Sequence, residues 1–227
     1  MTQGGAAMDG NRDGNGEGLT IDDHVARIRA KVASSGRVIV GLTGAPGAGK
    51  STLAQALLER FADQAVVVPM DGYHLANVVL AQLGKADRKG AEDTFDSAGY
   101  VALLRRLRAQ RADEIVYAPM FRREIEEPIA NAIPVLPDTP VIITEGNYLL
   151  LDRGHWRDVR GLIDEIWFVG IDAALRRERL VARHVQFGRS PQAAAEWVER
   201  TDEVNARLID STQATADYVI TPDALPG

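Results

Sequence analysis

The stretch that most constrains this chain is Gly44-Ala45-Pro46-Gly47-Ala48-Gly49-Lys50-Ser51, with Thr52 after it. It follows Arg37-Val38-Ile39-Val40-Gly41-Leu42-Thr43, an apolar run rich in β-branched residues with the length of a buried strand. Beyond it, Leu53, Ala54, Leu57, Leu58 and Phe61 recur at helical spacing. The order strand, glycine loop, helix is the context that a G-x-x-x-x-G-K-[ST] phosphate loop requires. Glycines let several backbone N–H groups turn toward one anion, and the helix N-terminus adds unsatisfied donors. Lys50 then supplies a mobile charge for β- and γ-phosphates, and Ser51 a hydroxyl for Mg²⁺.

Alternation of strands and helices around that loop predicts an α/β fold, a three-layer sandwich with a central parallel sheet and right-handed crossovers. Residues 1–18 are Gly, Asp and Asn with little to bury, and read as a disordered tail; residues 19–227 read as a single domain. Thr20 is placed to cap a helix carrying Ile21, Val25, Ile28 and Val32 on one stripe. Strands are expected at 65–70, 141–144, about 163–171 and 217–221, and helices at 97–110, 173–187 and 191–209, with a short one at 75–83. Pro119 marks 115–121 as an edge or irregular strand, and the prolines between 126 and 140 make that segment an excursion from the main sheet.

The net charge of −6 gives no electrostatic case for a nucleic-acid groove or an anionic membrane, so any polyphosphate site must concentrate its donors locally. The absence of cysteine excludes disulfides, thiolate zinc sites and cysteine nucleophiles. No apolar run has the length of a membrane span, and the N-terminus lacks the pattern of a signal peptide, so a cytoplasmic protein is expected.

Ligands of open α/β sheets bind beyond the carboxyl ends of the strands. Asp71 follows one predicted strand and Glu145 another, so both fall on the rim that carries the phosphate loop. Phosphoryl transfer needs a metal near the β- and γ-phosphates and a carboxylate on the nucleophile. Asp71 is read as the group that orients or deprotonates an acceptor hydroxyl, and Glu145 with Ser51 as the magnesium shell; the two acids could exchange roles.

Asp71-Gly72-Tyr73-His74 and, later, Thr144-Glu145-Gly146-Asn147-Tyr148-Leu149-Leu150 resemble the phosphoribulokinase/uridine kinase/pantothenate kinase group of P-loop kinases. The resemblance spans about 37–221. It implies ATP and Mg²⁺, a small-molecule acceptor facing Asp71, and a helical lid over about 176–192. Arg179 to Arg189 is similar to that group's lid, with His184 and Phe187 at positions where an acid and an arginine are usual. Arg183 is carried over as catalytic and Arg189 as nucleotide-binding, with Arg179 less firmly assigned. Tyr117-Ala118-Pro119-Met120-Phe121-Arg122-Arg123 resembles the acceptor-contacting segment, with Phe121-Arg122 replacing Tyr-Asp; Tyr73, His74 and Arg122 are the substrate-side candidates. Asp202, Glu203 and Asn205 are read as a solvated helix face. The expected activity is transfer of the γ-phosphoryl group to a hydroxyl of a sugar, nucleoside or small organic acid. The alternative is a P-loop ATPase or GTPase switch acting on a protein. A homodimer is left open.

Overall fold

A computed structural model describes residues 20–221. The expected tail at 1–18 lies outside the described residues. The first helix, α1 (Ile21–Ser35), begins in a reciprocal capping box: Thr20 Oγ1 accepts from the Asp23 backbone N–H, and Asp23 Oδ2 accepts from the Thr20 N–H at 2.8 Å.

Strand β1 (Val38–Thr43) is buried at every position and leads through the glycine loop into α2 (Lys50–Phe61). The next strand, β2 (Ala65–Pro69), runs through a short 3₁₀ turn, Met70–Tyr73, toward helix α3 (Asn77–Gln82) and then α4 (Ser97–Arg108). Further on come the central β5 (Val141–Glu145), then β6 (Glu165–Val169) and β7 (Tyr218–Ile220). These five strands form one parallel sheet in the order β2-β5-β1-β6-β7. Leu42, Pro69 and Glu145 are register partners, so β1, β2 and β5 end side by side.

Side chains along each strand divide between the two faces with period two. Val38, Val40, Leu42, Val141, Ile143 and Trp167 join the core under α1 and α2, whereas Ile39, Ile142, Ile166 and Phe168 join the core under α4. Two covered faces explain the continuous apolar runs and complete the three-layer arrangement.

Strands β3 (Val116–Arg122) and β4 (Glu127–Val135) pair antiparallel as a separate two-stranded sheet. Their register shifts between Ala118 and Met120, at Pro119, which has no N–H to give the ladder. Val116, Ala118 and Val135 anchor the hairpin in the core. A Cβ at Gly72 would lie 2.4 Å from the Pro119 carbonyl oxygen, so the hairpin backbone lies directly against the turn that carries Asp71.

The C-terminal helices are α5 (Ala173–Gln186), α6 (Pro191–Trp197) and α7 (Glu203–Asp210). The single helix expected over 191–209 is interrupted by a π-helical turn, Val198–Asp202, and the solvated face expected there is buried: Asp202, Glu203 and Asn205 are each at most 7% exposed. The widened turn faces these polar groups toward α5 and the site, a frequent use of π-bulges. Among the described residues, no helix is long and apolar enough to cross a membrane.

Candidate active site

The glycine loop closes over its own lysine. Lys50 is 8% exposed, and its Nζ donates to the Gly44 and Ala45 carbonyls at 2.8 and 3.0 Å. Burial pulls its pKa down to about 8, against the attraction of Glu145 and Asp71. Gly47 has φ of +82°, and a Cβ there would meet Leu180 of α5 at 2.9 Å, so the loop and α5 touch where glycine fits best.

Both rim carboxylates reach this loop's surroundings. Glu145, at the end of β5, accepts from Ser51 Oγ at 3.3 Å. Its pKa is raised by burial first and by Asp71 second, while Lys50 pulls the other way. The preceding residue, Thr144, ties the strand end down: its Oγ1 donates to the Val68 carbonyl at 2.7 Å and also bonds the Tyr100 hydroxyl at 2.6 Å. Asp71, in the 3₁₀ turn after β2, accepts at Oδ2 from Arg123 Nη2 at 3.2 Å.

His74 closes the far side of that turn. Its Nδ1 lies 2.8 Å from the Asp71 carbonyl oxygen, which can only accept, so Nδ1 carries the proton. Burial lowers the pKa of the ring, which is held between Phe95 and Phe121 at centroid distances of 4.0 and 4.6 Å.

Helix α5 is tied to the C-terminal helices. Arg176, 4% exposed, pairs with Glu203 Oε1, and Arg177 reaches Glu203 Oε2 at 3.3 Å. His184 Nε2 lies 2.8 Å from Asp202 Oδ2. Arg183 is deeply placed, with its pKa lowered by burial and then by Arg123. Arg189 lays its guanidinium 4.1 Å from the Trp197 ring centroid.

One cavity of about 760 Å³ joins these parts. Of the loop, Pro46, Gly47, Gly49, Lys50, Ser51 and Thr52 line it, while Gly44, Ala45 and Ala48 stand behind. Asp71, His74, Glu145, Arg183 and Arg189 line it too. Two substrate-side candidates do not. Tyr73 packs edge-on against Tyr100 at 5.5 Å, and the burial that drives its pKa up to about 12 marks it as a packing residue. Arg122 points away and pairs with Glu124 at 3.1 Å. Arg123 takes the place on the cavity wall, as do Lys89, Trp197 and Asn147, all missed by sequence reasoning. Phe121 lines the cavity as well, and Arg123 follows it in the turn after β3, where strand periodicity gives no signal.

The donors fit a small hard cation. Among the described residues, no group of three or more His, Cys, Asp or Glu side chains could hold a metal. The Ser51 hydroxyl and Glu145 carboxylate suit Mg²⁺, which keeps waters and phosphate oxygens in its own shell.

A parallel sheet with helices on both faces, a lysine-bearing phosphate loop and two acids at neighbouring strand ends define a P-loop kinase. Residues 39–223 match the phosphoribulokinase / uridine kinase family, and the chain belongs to that family. Its chemistry is ATP-dependent phosphotransfer to a small molecule. A Schizosaccharomyces pombe protein, C227.14, named as a candidate uridine kinase, is 35% identical over 195 residues, covering 81% of this chain and 83% of its own. The Escherichia coli protein YggC is 34% identical over 186 residues, covering 78% and 76%. A crystal structure of a candidate fructose transport system kinase from Silicibacter sp. TM1040 superposes with a TM-score of 0.77 at 37% identity, covering 89% of this chain and all of that one. The structure of YFH7 from Saccharomyces cerevisiae, at 18% identity, shares the fold, with a TM-score of 0.76 and coverage of 89% and 98%.

Proposed function

We propose that this protein transfers the γ-phosphoryl group of Mg·ATP to a hydroxyl group of a small sugar-, nucleoside- or organic-acid-type molecule. The observation that carries this reading is the meeting of Lys50, Ser51, Asp71 and Glu145 on one cavity wall.

Glycine-loop N–H groups and Lys50 bind the phosphate tail, and Arg183 and Arg189 offer positive charge from the lid side. Mg²⁺ would be held by Ser51 and Glu145 and, when bound, draws charge from the β- and γ-phosphate oxygens. Asp71 accepts a hydrogen bond from the acceptor hydroxyl and fixes its oxygen in line with the γ-phosphorus. As the new P–O bond forms, the bond to the β-phosphate oxygen breaks; the hydroxyl proton passes to Asp71, and ADP departs. Closure of the lid over this event excludes water that would otherwise compete as acceptor.

Asp71→Asn should lower kcat by about 10²–10⁴-fold and leave the KM for ATP within about twofold, because the base acts only in the transition state. Steady-state ADP release with a turned-over acceptor measures both, and unchanged kcat removes Asp71 from the mechanism. Robust ATP consumption without any acceptor would favour a nucleotide switch instead.

A further inference from the structure

The chain carries a net charge of −6, yet six cationic side chains line the large cavity against four acidic ones. Lys50, Arg179, Arg183 and Arg189 belong to the phosphate loop's helix and the lid, where a triphosphate tail accounts for them. Lys89 and Arg123 are left. Lys89 comes from the loop that follows α3, and Arg123 from the turn between β3 and β4; neither segment belongs to the nucleotide end.

These two cations share a place. Lys89 Nζ lies 5.2 Å from the Phe121 ring centroid, and the Arg123 guanidinium carbon lies 5.9 Å from the same ring. Asp71 takes a single contact from Arg123, at 3.2 Å, so most of that guanidinium's five N–H donors remain for a ligand. Lys89 donates to Asn77 Oδ1 at 2.6 Å and to the Glu126 carbonyl, which leaves the third ammonium proton. The acids nearby are Asp71, which has a role of its own, and Glu126 on the cavity wall; Glu127 is engaged with the Asn77 N–H at 3.0 Å. Arg183 faces Arg123 from the lid, so like charges meet across the space beside Asp71.

Taking the phosphotransfer reading as its base, we propose that the acceptor alcohol carries an anionic group, a carboxylate or a phosphate ester, and that Arg123, seconded by Lys89, selects it. A guanidinium offers two parallel N–H donors to either anion. The Arg123 side chain that touches Asp71 also reaches the anion, so the charged group lies only a few bonds from the reacting hydroxyl. An uncharged acceptor would leave Arg123, Lys89 and Arg183 around this space with only Asp71 and Glu126 to offset them.

The test compares matched acceptors: glycerol, D-glycerate and glycerol 3-phosphate, then D-ribose, D-ribonate and D-ribose 5-phosphate. ADP release above the acceptor-free rate is measured at saturating Mg·ATP. Turnover is expected with charged members, and the carboxylate and phosphate arms decide which anion is read. Arg123→Gln and Lys89→Gln should each raise the KM for the charged acceptor roughly tenfold or more, with the KM for ATP unchanged, and Arg123→Lys should restore part of the loss. A residue that merely positions Asp71 would lower kcat for charged and neutral acceptors alike. Turnover confined to neutral members overturns the proposal and leaves the kinase reading standing. Silence of the whole panel, in a protein whose Mg·ATP binding is intact and abolished by Lys50→Ala, overturns it too. Failure to bind Mg·ATP at all overturns both.

Discussion

Lys50 shows how a single buried charge weighs on stability. Its ammonium is buried against two carbonyl oxygens, and its folded pKa of about 8 stands below the ordinary 10.5. Between those values the unfolded chain holds the proton more tightly, so the stability cost of Lys50 is full below pH 8 and is relieved as pH rises toward 10.5. Lys50→Met should therefore raise the Tm at pH 7 while abolishing Mg·ATP binding, and a lower Tm would show that the two carbonyl bonds outweigh the desolvation. The same pKa makes a second prediction. A bound triphosphate brings negative charge to the ammonium and raises its proton affinity, so binding at pH 8.5 should take up protons. Calorimetry in buffers of differing ionisation enthalpy reads that uptake directly. Lys50 was legible in the sequence because its chemistry is fixed by spacing within one loop. Arg123 was not, because it meets Asp71 only through a hairpin that returns across 52 residues of chain.

At the scale of elements, α5 is held to α7 by charge as well as by packing. Glu203 of α7 pairs with Arg176, which is 4% exposed, and with Arg177. One Arg176 nitrogen, Nη1, has no partner, so Glu203 is the counter-charge on which this buried cation depends. Glu203→Ala should cost about 3–5 kcal/mol, the usual consequence of leaving a buried charge unpaired. Chemical denaturation measures it; a loss within 1 kcal/mol, roughly that of an exposed pair, would mean that water reaches Arg176. Sequence periodicity finds α5 and the helical region after Pro191 but gives Asp202, Glu203 and Asn205 to solvent. Helical spacing alone says which residues share a face. It does not say that a π-turn will rotate that face onto α5.

The whole molecule explains why the strand-end acids could be foreseen and the cavity wall around Lys89 and Arg123 could not. Glu145 and the phosphate loop lie on adjacent parallel strands whose register is dictated by continuous apolar runs, and Asp71 follows the next strand over. That wall draws on a hairpin, a long loop and a π-turn, none of which is fixed by periodicity. The resulting cavity is bounded by seven separate segments: the glycine loop, the turn at Asp71, the stretch from α3 to Phe95, the α5 region up to Arg189, the hairpin, the end of β5 and the last helices. A ligand that touches the first and fourth of these ties together parts of the chain that meet at Gly47, where Leu180 and Arg176 lie against the loop. Mg·ATP at 100 times its Kd should therefore stabilise the fold by about 2.7 kcal/mol, raising the Tm by roughly 5–10 °C for a domain of this size. Hydrogen exchange should locate the gain: the glycine loop and α5 become protected with nucleotide alone, whereas the β3–β4 turn becomes protected only when an acceptor joins it. Protection of that turn by nucleotide alone would mean that Arg123 serves the phosphates and not the acceptor.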